Sequence, residues 1–327
     1  MATNRLHLNP RGAAAHLAAV ALLAVIVGGT SATLAVAAPH TCVCATTGVS
    51  SSYGWPLQPF RVQHPVRGFF GDPRIGRATD GSVIRSFHFG IDIAGADGTP
   101  VYATLTGRVR AGNRHHDVVA IASPHGRVFA YWHVVPAVEA GQRVVAYHTL
   151  IGHIAPTWGH VHFAEYQSGT PLNPLRPGAL GPYVDTTTPL ITGLGIPWHG
   201  LAVAPAKPVT GRTALVVEAH DMPQLKVAGA WSDLSAAPEL VRWRIDSGRW
   251  STALDVRRVL PKGIAYDEVY AYHTHQNRPH RRGHYLIYLA RDWDTTALRP
   301  GRHSLDVLVA DIRGNQACSS VVITVAG

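Results

Sequence analysis

Three short stretches carry side chains whose types and spacing suit chemistry. The first is His88-Phe89-Gly90-Ile91-Asp92. A histidine and an aspartate four residues apart fall on one side of a β-strand, because side chains alternate with a period of two. An imidazole and a carboxylate together suit zinc. Gly90 lets the backbone pass close to whatever they hold. A surface pair is the alternative reading. The second stretch is Gly159-His160-Val161-His162-Phe163. On a strand, His160 and His162 share one face while Val161 and Phe163 point into a core. Two charged imidazoles on one face repel, and a metal ion or a polar pocket relieves this. An exposed pair on a half-solvated strand is again the alternative. The third is Tyr131-Trp132-His133, at the end of a strand; alone, His133 reads as structural.

The elements that must position these residues read as strands. Ser82 to Ile93, Val101 to Ala111, Asp117 to Ile121, Arg127 to Val134 and Gln142 to Val145 carry β-branched or aromatic residues. Turn signals such as Asp97-Gly98 and Pro124-His125-Gly126 punctuate them. Residues 170–210 are rich in Pro, Gly and Thr, a composition that suits a connection. Strand patterns return at Thr213 to Ala219, Leu240 to Ile245, Tyr285 to Ala290, Ser304 to Ala310 and Val321 to Val325. That spacing suggests a β-sandwich of immunoglobulin-like type. The whole chain is therefore expected to be all-β.

Composition narrows the class. Over 327 residues, 46% hydrophobic and 15% charged content excludes wholesale disorder. The net charge of +9 suits an anionic partner. Nucleic acid is disfavoured, since the basic residues are scattered with no basic run or binding motif. Arg5 and Arg11 precede an apolar stretch from Ala13 to Val27, and Ala35-Val36-Ala37 reads as a cleavage site. Residues 1–37 are thus expected to be a secretory signal peptide, with an uncleaved membrane anchor as the alternative. Either places the remainder outside the cytoplasm. Of Cys42, Cys44 and Cys318, one of the first two could pair with the third, or Cys42 and Cys44 could form half of a metal site. His273-Thr274-His275 with His280 and His284 makes a second histidine cluster, which Arg281-Arg282 marks as a basic loop rather than a metal site.

Taken together and in order, the motifs resemble the lysostaphin-type (LytM-like) zinc metallopeptidases of bacterial cell walls. The stretches that carry the resemblance begin with Phe70-Gly71-Asp72-Pro73-Arg74 and His88-Phe89-Gly90-Ile91-Asp92-Ile93-Ala94. They continue through Gly98-Thr99-Pro100-Val101-Tyr102-Ala103, Tyr131-Trp132-His133-Val134 and Ala140-Gly141-Gln142-Arg143-Val144. Gly159-His160-Val161-His162-Phe163-Ala164-Glu165 and Leu172-Asn173-Pro174 complete them. The resemblance implies a compact antiparallel β-sheet metallopeptidase domain over 61–180, after a 38–60 leader segment. A 181–210 linker and a 211–327 β-sandwich domain would follow. It implies zinc held by His88, Asp92 and His162. It implies His160 as general base and His133 as the residue that orients the water or stabilises the oxyanion. The implied substrate is the peptide stems or cross-bridges of peptidoglycan. Nucleic acid is not expected as a partner, nor a membrane in the mature form unless the signal is an uncleaved anchor. A non-catalytic peptidoglycan-binding or hydrolase-activating protein is the alternative. The run Gly152-His153-Ile154-Ala155-Pro156-Thr157-Trp158-Gly159 departs from the family's usual loop, and Trp158 is a candidate groove wall.

Overall fold

A computed structural model describes residues 51–113 and 117–327. The expected signal peptide, with Cys42 and Cys44, lies outside the described residues.

Among the described residues, regular secondary structure is almost entirely strand. Its first part holds β1 (Val66–Gly68), β2 (Pro73–Arg77), β3 (Val83–Phe87), β4 (Ile91–Ala94), β5 (Pro100–Tyr102), β6 (Gly107–Asn113) and β7 (Val118–Ala122). There follow β8 (Arg127–Trp132), β9 (Val134–Pro136), β10 (Arg143–Val144), β11 (Leu150–Ile154), β12 (His160–Gln167) and β13 (Thr170–Leu172). The second part holds β14 (Leu190–Trp198), β15 (Leu201–Val203), β16 (Arg212–His220), β17 (Leu240–Ile245) and β18 (Ser251–Asp255). A one-turn helix α1 (Tyr266–Val269), β19 (Leu286–Asp294), β20 (Gly301–Ala310) and β21 (Gln316–Val325) complete it.

An antiparallel sheet in the order β1-β4-β12-β8-β7-β6-β10, with β13 beside β12, forms the frame of the first part. Its central strand, β12, reads His-Val-His-Phe-Ala-Glu-Tyr-Gln. Val161 and Phe163 are fully buried on one face, as alternation requires. Glu165 has the same parity, so a carboxylate enters the apolar side of the sheet. It survives there because its oxygens are fully matched. Tyr53 Oη donates to Oε2 at 2.5 Å, Arg176 binds both oxygens at 2.7 and 2.8 Å, and Arg127 donates to Oε1 at 2.6 Å. Burial alone would raise its pKa; these charge-assisted bonds outweigh burial and hold the carboxyl below the usual carboxylate range.

Two expectations need correction. The strand expected from Ser82 to Ile93 is broken at His88–Gly90. The backbone of His88 pairs with Gly71 and Asp72 (both 2.8 Å) instead of extending β3 into β4. β3 therefore belongs to a separate hairpin with β2, and β4 to the large sheet. The Pro-rich stretch expected to be a linker carries β14 and β15, which join β16 and β19 in one four-stranded sheet. Its prolines lie next to or near the ends of these strands, at Pro189, Pro197 and Pro205, where they cost few ladder bonds.

A second four-stranded antiparallel sheet, β18-β17-β20-β21, completes the later part. One apolar cluster runs through both parts, from Tyr53 and Trp55 through Ile93 and Phe163 to Val241, Val307 and Ile323. Residues 51–60, expected to be leader, contribute Tyr53, Trp55 and Leu57 to it.

Candidate metal centre

Two adjacent strands set the floor of the site. In the β4–β12 register Asp92 stands opposite His162, and His160 stands opposite Ala94. Close approach at this point depends on Gly90. A Cβ there would lie 2.5 Å from the Phe163 carbonyl oxygen and 2.8 Å from His162 Nε2. His88 arrives from the broken segment between β3 and β4, not from strand alternation. Its Nδ1 faces the Phe69 carbonyl at 2.8 Å, which places the proton on Nδ1 and turns the Nε2 lone pair into the site.

Three atoms converge there. His88 Nε2 lies 2.7 Å from His162 Nδ1, and Asp92 Oδ1 lies 3.2 Å from the first and 3.0 Å from the second. His162 Nε2 is buried without a hydrogen-bond partner. A proton on Nδ1 therefore strands a lone pair at Nε2. A proton on Nε2 strands a donor and sets two lone pairs against each other. A metal ion taken up at Nδ1 resolves that second conflict, and two imidazoles with one carboxylate are a donor set that zinc accepts. His88, Asp92 and His162 are one group among the described residues able to hold a metal ion.

The electrostatics favour ligands over protons. Burial, reinforced by the Arg74 charge, pushes His88 down to about 3. Burial alone would raise Asp92. The electrostatic pull of the neighbouring histidines, His88 first, and of the Arg74 guanidinium outweighs it and holds the carboxyl well below the usual carboxylate range. Arg74 Nη2 binds Asp92 Oδ2 at 2.8 Å, so Oδ2 is occupied and Oδ1 faces the histidines.

His160 and His133 flank the cluster. His160 Nδ1 bonds the Trp158 carbonyl at 2.7 Å, which leaves Nε2 as the nitrogen turned inward, 3.4 Å from Asp92 Oδ1. His133 follows β8 with φ of +63°, a left-handed conformation uncommon outside glycine. Its ring stacks on Trp158 at 3.5 Å and lies 4.7 Å from the His160 ring. Burial, then the neighbouring His160, pushes His133 down to about 3. The Trp158 loop is pinned by Asp97, whose carboxylate accepts from Thr157 N at 2.7 Å and Gly159 N at 2.8 Å.

All five sequence-identified residues line one open groove of about 470 Å³. Further lining residues carried no individual role in the sequence reading. Arg74 lies inside a quoted motif, but nothing in that motif tells where its guanidinium goes. Trp231 and Gln276 come from the second part of the chain. The Arg67 guanidinium stacks over Trp231 at 4.4 Å, and Gln276 Oε1 accepts from Ile75 N at 2.5 Å. In the second histidine cluster His275 faces His284, and His284 lies 3.4 Å from Glu218. This cluster is not among the described groups able to hold a metal ion.

A groove over an antiparallel sheet, floored by two histidines and an aspartate, is an arrangement that could hold a metal ion. Residues 86–174 match the model of peptidase family M23. Solved structures with local similarity include the SpoIIIAH–SpoIIQ complex, at 23% identity and TM-score 0.31 over 38% of this chain and 97% of that one. A zinc-containing peptidase from Vibrio cholerae matches at 23% identity and TM-score 0.30, over 38% of this chain and 39% of that one. Lysostaphin matches at 13% identity and TM-score 0.27, over 77% of this chain and 91% of that one. No curated protein matches the chain.

Proposed function

We propose that this protein is an extracytoplasmic zinc endopeptidase that hydrolyses peptide bonds in bacterial cell-wall peptidoglycan. The observation that carries the reading is the convergence of His88 Nε2, Asp92 Oδ1 and His162 Nδ1, with two further histidines beside them, in an open groove. His88, Asp92 and His162 would hold the zinc, which when bound polarises a carbonyl and makes water acidic near neutrality. The chain's own groups supply the rest. His160, oriented through Nδ1 by the Trp158 carbonyl, takes the proton of the attacking water at Nε2 and passes it to the leaving amine. His133 stays neutral and offers its N–H to the oxygen on which charge develops. Arg74 fixes the rotation of the Asp92 carboxylate. Trp158 and Trp231 wall the groove, and a net charge of +9 suits an anionic wall. The Ala13–Val27 apolar stretch and the Ala35-Val36-Ala37 site support export.

The test is to incubate the zinc-loaded protein with purified peptidoglycan and follow new amino groups by mass spectrometry. The wild type should release them. His160→Ala should lower the rate about 10²–10⁴-fold with zinc retained. His88→Ala should lose stoichiometric zinc. Equal release by wild type and His160→Ala would overturn the catalytic assignment, and full zinc retention by His88→Ala would overturn the ligand assignment.

A further inference from the structure

A second cluster of metal-type ligands lies in the later part of the chain, independent of the peptidase reading. Asp185, Asp221 and Asp311 present carboxylate oxygens within 4.8 Å of one another. They come from three separate segments: the chain before β14, the end of β16 and the end of β20. All three are buried, at 8%, 4% and 1% exposure.

Their hydrogen bonds come from neutral donors. Asp185 Oδ1 accepts from Thr187 N (3.0 Å) and Oγ1 (2.5 Å), and its Oδ2 accepts from Tyr183 Oη (3.1 Å). Asp221 Oδ1 accepts from Met222 N (2.8 Å) and Thr187 Oγ1 (3.2 Å). Asp311 accepts from Arg313 N, Asn315 N and Asn315 Nδ2 (2.8, 2.8 and 2.6 Å). These bonds orient the carboxylates without neutralising them.

A separate observation comes from Glu239. It is 3% exposed, and among the described residues its carboxylate makes no hydrogen bond or ion pair. The β17–β20 register pairs Leu240 with Ala310, and Glu239 N bonds the Ala310 carbonyl at 3.0 Å. Glu239 thus stands across from Asp311, and its charge is felt by the same three aspartates. A buried carboxylate without a counter-charge is unfavourable, and a bound cation relieves it. The basic group that acts on the cluster is Arg313, whose guanidinium lies over the Tyr183 ring. Four carboxylates against one guanidinium leave a large negative excess. A set made only of oxygen donors suits a hard divalent cation of calcium type and not zinc.

We propose that Asp185, Asp221 and Asp311, with Glu239 as the fourth acidic group, form a structural calcium site that ties the chain entering β14 to the ends of β16 and β20. The same corner touches the peptidase part, since Asp221 N bonds the Ala236 carbonyl (2.9 Å) and the next residue, Ala237, donates to Asp72 (3.0 Å).

The experiment strips metals from the full chain with a chelator, restores zinc, and titrates calcium chloride against magnesium chloride at matched ionic strength. Bound calcium is counted by elemental analysis after desalting, and unfolding is followed thermally. One calcium per chain is expected, with the unfolding midpoint raised by about 5 °C at saturation. Asp221→Asn and the milder Glu239→Gln should each weaken calcium binding at least about tenfold, read as a rightward shift of the midpoint titration. His88→Ala should keep calcium while losing zinc, which separates this site from the peptidase centre. No retained calcium and an unmoved midpoint in the wild type would overturn the proposal, as would an equal shift with magnesium.

Discussion

His133 concentrates the residue-scale physics of the proposed active site. It occupies a left-handed conformation, it stacks on Trp158, and its imidazole is kept neutral by burial. Its value in the fold, about 3, lies below the ordinary 6.5. Between these values the unfolded chain binds a proton that the folded chain refuses. The residue therefore subtracts nothing from stability above about pH 6.5 and an increasing amount as pH falls toward about 3. His133→Asn removes this titration and tolerates the left-handed backbone. Thermal unfolding from about pH 7 to about pH 4 should show the wild type losing more stability than the variant. A constant gap between them would refute the buried, neutral assignment.

At the scale of elements, the β4–β12 pair is the device that builds the metal centre. Gly90→Ala would drive a methyl group into the Phe163 carbonyl and the His162 ring. The strands must part where Asp92 faces His162, so zinc affinity should fall about tenfold or more. Competition with a chromogenic chelator measures this, and unchanged affinity would show that the strand spacing does not set the site. The opposite face of β12 carries its own test. Glu165→Ala leaves Arg127 and Arg176 without their buried partner and should cost about 3–5 kcal/mol in denaturant unfolding. A cost below about 1 kcal/mol would mean that water replaces Glu165 at the two partly exposed arginines.

Across the whole molecule, the two parts share packing instead of meeting through a free linker. Val256 packs against Gly71, Tyr270 Oη donates to the Gly71 carbonyl at 2.8 Å, and Gln276 caps Ile75. The hairpin β2–β3, which carries Arg74 to Asp92, is thereby held from the C-terminal side. A chain ended after residue 185 should lose cooperative unfolding and bind a hydrophobic dye, because part of the shared core is exposed. A sharp thermal transition in that fragment would show that the peptidase part folds independently. Tyr270→Phe in the full chain should be milder, about 1 kcal/mol, since one buried hydrogen bond is lost and the carbonyl is left without that partner.

Much of this was legible in the residues. Alternation identified strands such as Leu240–Ile245, and the parity of His160 and His162 put both on one face, because a period of two is a local property of the extended backbone. The order of the motifs pointed to the peptidase family. What the tertiary structure decided is which distant groups meet. His88 reaches Asp92 through an interruption of the strand that local pattern does not reveal. Arg74 locks Asp92, and Trp231 and Gln276 enter the groove from the other part. Asp185, Asp221, Glu239 and Asp311 lie far apart in sequence, and each alone reads as an ordinary turn or strand-end acid. Only the sheet register and the crossing of segments bring their charges together. That information resides in long-range pairing, to which nearest-neighbour spacing is blind.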